Sequence, residues 1–361
     1  MMLPRFRILH ACSSSKRLGG VWTYIQALTE SRLREKYEFN VCLYPQGLHG
    51  ISPRLVCSLA RTFRRARPDL IHAHGLQVES FNIVLAARLA RLRPVLLTAH
   101  GFIEDVRYWS AWKRFVVSRV LEPVTVRLSD AIYCVSRYGA AKRVVQRHAR
   151  QNLGQISNGI ALRPLTGKDR KLRREFGFSE DEVVAICVTR LSLEKGLIYL
   201  AEAMRILEVE GCISPRLLIV GDGPNAKEIR SAFGTMLSSG RVVMPGKIDN
   251  AHLLCNAADF MVLPSLHEHQ SFAILEAMMA GRAVLTTDVG GNSELVCDAV
   301  NGLLVPAKDA RRLAAGMARL ASSQELRERM GQAGRERAVR EFSLENLVYR
   351  VEEIYDQMVA K

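Results

Sequence analysis

The sequence predicts an α/β protein of two Rossmann-like domains, each a parallel sheet with helices on both faces. Three observations carry this. The chain has 361 residues, too many for one core of ordinary size and enough for two domains of roughly 100–200 residues each. Short apolar runs alternate with amphipathic stretches in two successive series, the pattern of strand–helix units. Between the series, Ser157-Asn158-Gly159 and the stretch from Arg163 to Arg170 interrupt the pattern with Gly, Pro and charge, as a linker does.

In the first series the strand-length runs are Phe6–Ala11, Glu38–Tyr44, Asp69–His74, Val95–Ala99 and Ala131–Val135. In the second they are Val183–Val188, Arg216–Val220, Val242–Met244, Phe260–Leu263 and Ala283–Thr286. From about Ala310 to Lys361 the period turns helical, with Arg and Glu spaced for exposed i,i+4 pairs. This places a first domain at 1–165 and a second at 166–340, with a terminal helix of about 341–361 packing back on the first. Open parallel sheets bind ligands beyond the carboxyl ends of their strands. Two such sheets facing one another would make the cleft between them the default site.

Hydrophobic residues make up 48% and charged residues 24%, near globular averages, which disfavours disordered, collagen-like and disulfide-scaffold classes. The longest apolar runs, such as Val183 to Val188 and Ala257 to Leu263, fall far short of the roughly 20 residues that span a bilayer. Met1 to Ala11 lacks an apolar core followed by a small-residue cleavage site, so it reads as a first strand and not as a signal peptide. Eight cysteines are dispersed without a C-x-x-C pair, which suits buried thiols in a reducing cytoplasm. The net charge of +15 is one-sided: residues 1–165 hold 26 Lys+Arg against 9 Asp+Glu, and the remainder 25 against 27. A basic first domain suits nucleic acid, an anionic membrane or an acidic small molecule, and charge alone does not choose.

The strongest constellation is Pro264-Ser265-Leu266-His267-Glu268-His269-Gln270-Ser271-Phe272-Ala273-Ile274-Leu275-Glu276, which follows a strand and opens a helix continuing through Ala280. Two carboxylates flank a helix N-terminus. Free amides there take a phosphate, and carboxylates accept hydrogen bonds from ribose or hexose hydroxyls. Two glutamates alone are more often a solvated helix entry and a stray surface charge. The context argues otherwise, because Arg190-Leu191-Ser192-Leu193-Glu194-Lys195-Gly196 follows the first strand of the second domain. Arg offers a planar fork and Lys a mobile point charge, and together they can neutralise a departing pyrophosphate. A metal does this work elsewhere, and the chain contains no Asp-x-Asp chelating pair. Near the start, Arg17-Leu18-Gly19-Gly20-Val21-Trp22 puts glycines at a strand-to-helix corner where amides can approach a phosphate; a plain tight turn is an equal reading.

Taken in order, these segments resemble glycosyltransferase family 4. The resemblance runs over nearly the whole chain: Gly19-Gly20, Asp69-Leu70-Ile71-His72-Ala73-His74, Thr98-Ala99-His100-Gly101, Ile156-Ser157-Asn158-Gly159-Ile160, the Arg190 to Gly196 loop, Leu218-Ile219-Val220-Gly221-Asp222-Gly223-Pro224, the Glu268/Glu276 element and Asp288-Val289-Gly290-Gly291. It implies a GT-B fold, with the two sheets facing across a cleft, and a retaining, metal-independent transfer of a hexose-type sugar from a UDP- or GDP-sugar. The implied acceptor is a glycan or lipid-linked molecule of cell-envelope or polysaccharide biosynthesis. Arg190 and Lys195 would hold the diphosphate and Glu276 the ribose. Glu268 and the amides of Phe272, Ala273, Ile274 and Leu275 would hold the transferred sugar and phosphate, with His100 beside the reacting sugar. The implied catalytic set is therefore His100, Glu268, Arg190 and Lys195, and the donor-binding set adds Gly19, Gly20, Gly221, Lys247, Ile248, Ser271 and Glu276. Two segments depart from the family pattern: His269-Gln270-Ser271 stands in place of a glycine and an aromatic residue, and Ala161 in place of an aspartate.

Weaker signals point to other classes. Gly221-Asp222-Gly223-Pro224-Asn225-Ala226 matches the dinucleotide fingerprint G-x-G-x-x-A, but Gly240 to Gly246 supplies no acid at the end of the next strand, which argues against a nicotinamide oxidoreductase. His72 with His74, or His267 with His269, could be drawn as metal ligands, yet no third ligand stands at a matching spacing; polar cleft residues are the expectation, and no metal. From Arg107 to Arg127, Trp109, Trp112, Phe115 and Val116 mix with Lys113, Arg114, Arg119 and Arg127. That helix either lies in a membrane interface or buries Phe115, Val116 and Val120 in the first domain. With His72 and His74, the residues Trp109, Trp112, Lys113 and Arg114 form the expected acceptor side. The expectation is a cytoplasmic enzyme, peripheral on an anionic membrane face, with no cofactor and no nucleic-acid partner. A non-enzymatic sugar-nucleotide sensor and a nucleic-acid binder are the alternatives.

Overall fold

The computed structural model describes residues 5–13, 19–44, 51–76, 78–105, 110–165 and 167–360. The chain divides into two compact units: Met1–Gly159 together with Leu344–Lys361, and Ile160–Ser343.

The first unit holds six parallel strands: β1 (Phe6–Ser13), β2 (Tyr37–Tyr44), β3 (Leu70–His74), β4 (Val95–Ala99), β5 (Ala131–Cys134) and β6 (Asn152–Gln155), in the order β2-β1-β3-β4-β5-β6. Strand alternation gives the sheet two unlike faces. Leu9, Ala11, Ile71, Ala73, Leu97, Ala99, Ile132 and Cys134 form an apolar face that packs on the helices Pro53–Ala66, Val78–Leu89 and Glu122–Leu128. His10, His72, His74, Thr98 and Tyr133 lie on the other face, where His10 pairs with His72 and Thr98 with both His74 and Tyr133. That face is closed by Tyr24 from the helix Gly20–Thr29 and Tyr355 from the terminal helix Leu344–Val359. The terminal helix is further tied to the first unit by Lys36 and Tyr37, which both donate to Asp356 at 2.5 Å, and by Arg32 to Glu352 at 2.6 Å.

The second unit holds β7 (Val184–Val188), β8 (Arg216–Val220), β9 (Val242–Gly246), β10 (Phe260–Leu263), β11 (Ala283–Thr287) and β12 (Gly302–Val305), all parallel, in the order β12-β11-β10-β7-β8-β9. Numbered within the unit this is 3-2-1-4-5-6, the doubly wound order whose strand direction of travel reverses between its first and fourth members. The reversal falls between β7 and β10, so loops 189–196 and 264–271 leave the sheet side by side. Beneath them the core is apolar on both faces, with Ile186, Leu218, Val262 and Leu285 fully enclosed. One buried ion pair fastens it: Arg173 reaches Asp259 at 3.2 Å, and Asp259 also accepts from Lys168 at 2.5 Å and from the Val184 amide at 2.8 Å.

Two strands lie outside the runs read from the sequence. β6 is polar, half-buried and carries Gly154 at φ +81°, so it shows no apolar run, whereas β12 is a short apolar segment, Gly302–Val305, at a sheet edge.

Candidate active site

Four loops meet at the carboxyl ends of the second sheet. Loop 189–196 follows β7, 221–225 follows β8, 264–271 follows β10 and 288–291 follows β11. Backbone hydrogen bonds join them: Leu191 N–H to Asp222 O, Asn225 N–H to Leu191 O, Leu266 N–H to Glu194 O and Gly291 N–H to Glu268 O. Two of the contacts leave no room for a side chain. A Cβ on Gly196, at φ +66°, would stand 2.1 Å from Pro264 O, and one on Gly290, at φ +55°, 1.8 Å from Glu268 O. These glycines are what lets the first loop press on the third and the fourth loop press on Glu268.

At the meeting point Lys195 Nζ donates to Glu268 Oε1 at 2.7 Å, and Ser265 Oγ donates to the same oxygen at 2.8 Å. Both partners of the ion pair are mostly buried. Arg190 pairs with Glu194 at 2.5 Å and keeps 60% of its side chain exposed. Gly221 follows β8, and Lys247 and Ile248 follow β9, with Lys247 exposed and paired to Asp249 at 3.2 Å. Lys195, Glu268 and the exposed Arg190 thus all belong to one unit.

The helix Phe272–Met279 starts at this point with Ser271 as its N-cap, whose hydroxyl accepts from the Ile274 amide at 3.4 Å. The Leu275 amide bonds to Ser271 O. This corrects the expected cradle: Ile274 and Leu275 are fully buried and their amides are already used, so Phe272 and Ala273 are the helix-end donors left without an intrahelical acceptor. Glu276, one turn further in, faces a cavity of about 30 Å³ lined with Ile160, Arg163, Pro164, His252 and Asn256. Burial pushes its carboxyl up to about 7, against the pull of Arg163. The departures His269, Gln270 and Ser271 are all buried, so they are built into the loop rather than displayed on it. Ala161 is exposed.

In the first unit, Gly19 and Gly20 cap the helix Gly20–Thr29, and Gly19 O takes the Trp22 and Thr23 amides. His100 follows β4 and meets Tyr24 edge-on at 5.0 Å. His72 and His74 are corrections to the acceptor side. Both are fully enclosed, and His72 engages Tyr355 at 2.7 Å through Nδ1 and Thr98 at 2.6 Å through Nε2. The third histidine missing from the sequence reading is His10, on the neighbouring strand. Its Nδ1 bonds His74 Nε2 at 2.9 Å, so the cluster is already held by hydrogen bonds of its own. Trp109 lies outside the described residues. Trp112 is 72% exposed and Lys113 is exposed, with Arg114 half-buried. Phe115 and Val120 are also more than half exposed, which overturns their burial in the core; Val117 and Val126 are buried instead. A π-helical turn, Val117–Leu121, interrupts this helix and shifts its buried face. A surface recess lined by Arg5, Glu30 and Arg32 lies at the amino ends of the strands and holds none of these groups.

The family model for glycosyltransferase family 4 matches residues 18–163, and that for glycosyl transferases group 1 matches 168–337. N-acetyl-alpha-D-glucosaminyl L-malate synthase of Bacillus anthracis is 31% identical over 303 residues, covering 83% of this chain and 78% of its own. The chain belongs to glycosyltransferase family 4. Among other members, the Escherichia coli UDP-Gal:alpha-D-GlcNAc-diphosphoundecaprenol alpha-1,3-galactosyltransferase is 25% identical and covers 84% of this chain and 79% of its own. Anabaena HepE in complex with UDP-glucose superposes with a TM-score of 0.78 at 20% identity, covering 98% of this chain and 100% of that one. The fold of this family 4 enzyme is therefore GT-B, and it is a glycosyltransferase. Among the described residues no helix is long and apolar enough to cross a membrane.

Proposed function

We propose that the enzyme transfers a hexose, with retention, from a UDP-sugar to a lipid-linked glycan at a membrane surface, and that it does so without a metal ion. The observation that carries this is the Lys195–Glu268 pair at the switch point of the second sheet, beside the Phe272 and Ala273 amides. The diphosphate is held by Lys195, by Arg190 swung from Glu194, and by those amides. Glu268, freed in part from Lys195, accepts from the sugar hydroxyls. The bond between the anomeric carbon and the β-phosphate oxygen breaks, and the acceptor oxygen bonds to that carbon on the vacated face. Its proton passes to the leaving phosphate. Stabilising the charge on that phosphate is the main catalytic work of the protein.

A UDP-sugar and a lipid diphosphate acceptor are favoured over the GDP alternative because the galactosyltransferase named above carries both in its name and HepE was solved with UDP-glucose. The membrane reading rests on the helical stretch 111–128. Trp112 and Phe115 stack at 6.1 Å on its exposed side, Val120 and Val124 continue the stripe, and Lys113, Arg119 and Arg127 are exposed around it. An apolar stripe flanked by cations suits an anionic headgroup layer.

Thermal unfolding in the presence of UDP-, GDP- and ADP-hexoses tests the donor. The expected outcome is a shift with a UDP-hexose at micromolar to millimolar concentration and release of UDP when a polyprenyl-diphosphate sugar is added. A shift with the GDP- or ADP-sugars alone overturns the UDP assignment.

A further inference from the structure

The first sheet carries a row of histidines that the transfer scheme leaves unexplained. His100 Nε2 bonds His74 Nδ1 at 3.3 Å, and His74 Nε2 bonds His10 Nδ1 at 2.9 Å. The three rings come from β1, β3 and the end of β4, on the polar face of the sheet, with His10 and His74 fully enclosed. Burial pushes His10 down to about 3 and His72 well below its ordinary value, so His10 and its neighbour His72 are neutral at working pH. A neutral imidazole donates through one nitrogen and accepts through the other.

With each ring carrying a single proton, the chain His100–His74–His10 can be filled in two ways. If His100 donates from Nε2, then His74 donates to His10, and His10 is left with its proton on Nε2. If His10 donates from Nδ1, then His74 donates from Nδ1 to His100, and His10 keeps a bare lone pair on Nε2. His10 Nε2 is buried and has no hydrogen-bond partner among the described residues. An orphaned buried N–H is the rarer and costlier of the two ends. The chain therefore runs outward from His10.

We propose that His10 and His74 are positioning residues that fix His100 as the neutral Nδ1–H tautomer, so that its Nε2 is committed to His74 and its proton lies on the opposite edge of the ring. The tautomer of one nitrogen is set by the bond the other makes. This rests on the family resemblance, which implies His100 beside the transferred sugar. There it makes His100 a hydrogen-bond donor to a sugar or leaving-group oxygen through Nδ1. It also rules out Nε2 as the atom that takes the acceptor's proton, consistent with delivery of that proton to the leaving phosphate.

The test is a long-range proton–nitrogen correlation spectrum of the full chain labelled with nitrogen-15 histidine, near neutral pH, with His100 assigned by its loss in His100→Gln. The expected wild-type spectrum shows His100 protonated on Nδ1. His74→Leu removes the donor and should move His100 toward the Nε2–H form; His74→Asn, whose amide N–H₂ can replace Nδ1–H, should restore the wild-type pattern. An Nε2–H tautomer in the wild type overturns the proposal, and this reading needs no variant to fold. An unchanged tautomer in a folded His74→Leu chain overturns it as well. Hydrolysis of the donor, measured in parallel, is expected to fall by about ten-fold in His74→Leu. A shifted tautomer with turnover unchanged would uphold the chain and remove His100 from beside the sugar.

Discussion

Lys195 is neutralised by Glu268 before any ligand arrives, and this shapes how it can serve a pyrophosphate. At 2.7 Å and mostly buried, the pair holds the ammonium in place, so a phosphate gains an oriented cation with little rotamer entropy still to lose. Glu276 is the second residue whose surroundings decide its chemistry. Its carboxyl is raised to about 7 by burial, so the folded state disfavours the charged form. The sign follows: the stability this group contributes is complete below its unfolded value and is lost as pH rises through about 7, a difference of about 3 kcal/mol at most. Glu276→Gln should accordingly raise the melting temperature more at pH 8 than at pH 5. If the ionised carboxylate receives the ribose hydroxyls, affinity for a UDP-hexose should rise about ten-fold between pH 6 and pH 8 in the wild type. It should stay flat in Glu276→Gln, which calorimetric titration at the two pH values checks; parallel pH slopes in both proteins would remove Glu276 from the nucleoside. Residues of this kind were legible because Arg190, Lys195, Glu268 and Glu276 stand at fixed distances from strand ends. Ser265, Glu194 and Arg163, which hold or tune them, were not, since nothing in a single sequence says which neighbours a loop will fold onto. His10 could have been found by parity, because it sits at the position of β1 that shares a face with His72 and His74.

At the scale of elements, the edge strands β2 and β9 announced themselves as the inner strands did, and β6 and β12 did not. β6 is too polar to leave an apolar run, and β12 is apolar but only four residues long. The polar face of the first sheet was hidden for a related reason: β3 reads Leu-Ile-His-Ala-His, and alternation shows two faces without saying that Tyr24 and Tyr355 will cover one of them. The helical stretch 111–128 shows the reverse case. Its period admits either a core or an interface, and in the structure Phe115 and Val120 stand exposed on either side of the start of a π-turn, Val117–Leu121. An isolated exposed Trp needs no account, but a stacked Trp112–Phe115 pair within a basic surface does. Co-sedimentation with vesicles containing phosphatidylglycerol at low salt should capture the wild type, and Trp112→Ala with Phe115→Ala should weaken that by about ten-fold. Equal sedimentation of both proteins would exclude this helix as the membrane contact.

For the whole molecule, the charge division noted in the sequence coincides with a division of labour. The second unit, nearly balanced in charge, sets Lys195 against Glu268, while the first carries an excess of Lys and Arg. A diffuse positive field gathers acidic ligands or lipid headgroups, and a placed cation stabilises one oxygen. The proposed transfer needs Lys195 and Arg190 to do what a divalent ion would do. Its most direct test is calorimetric titration of UDP into the wild type and Lys195→Ala, each in excess EDTA. Undiminished binding by the wild type under chelation is expected, with binding at least about ten-fold weaker in Lys195→Ala. Binding that vanishes with EDTA and returns with magnesium, or that survives the loss of Lys195 unchanged, would contradict it.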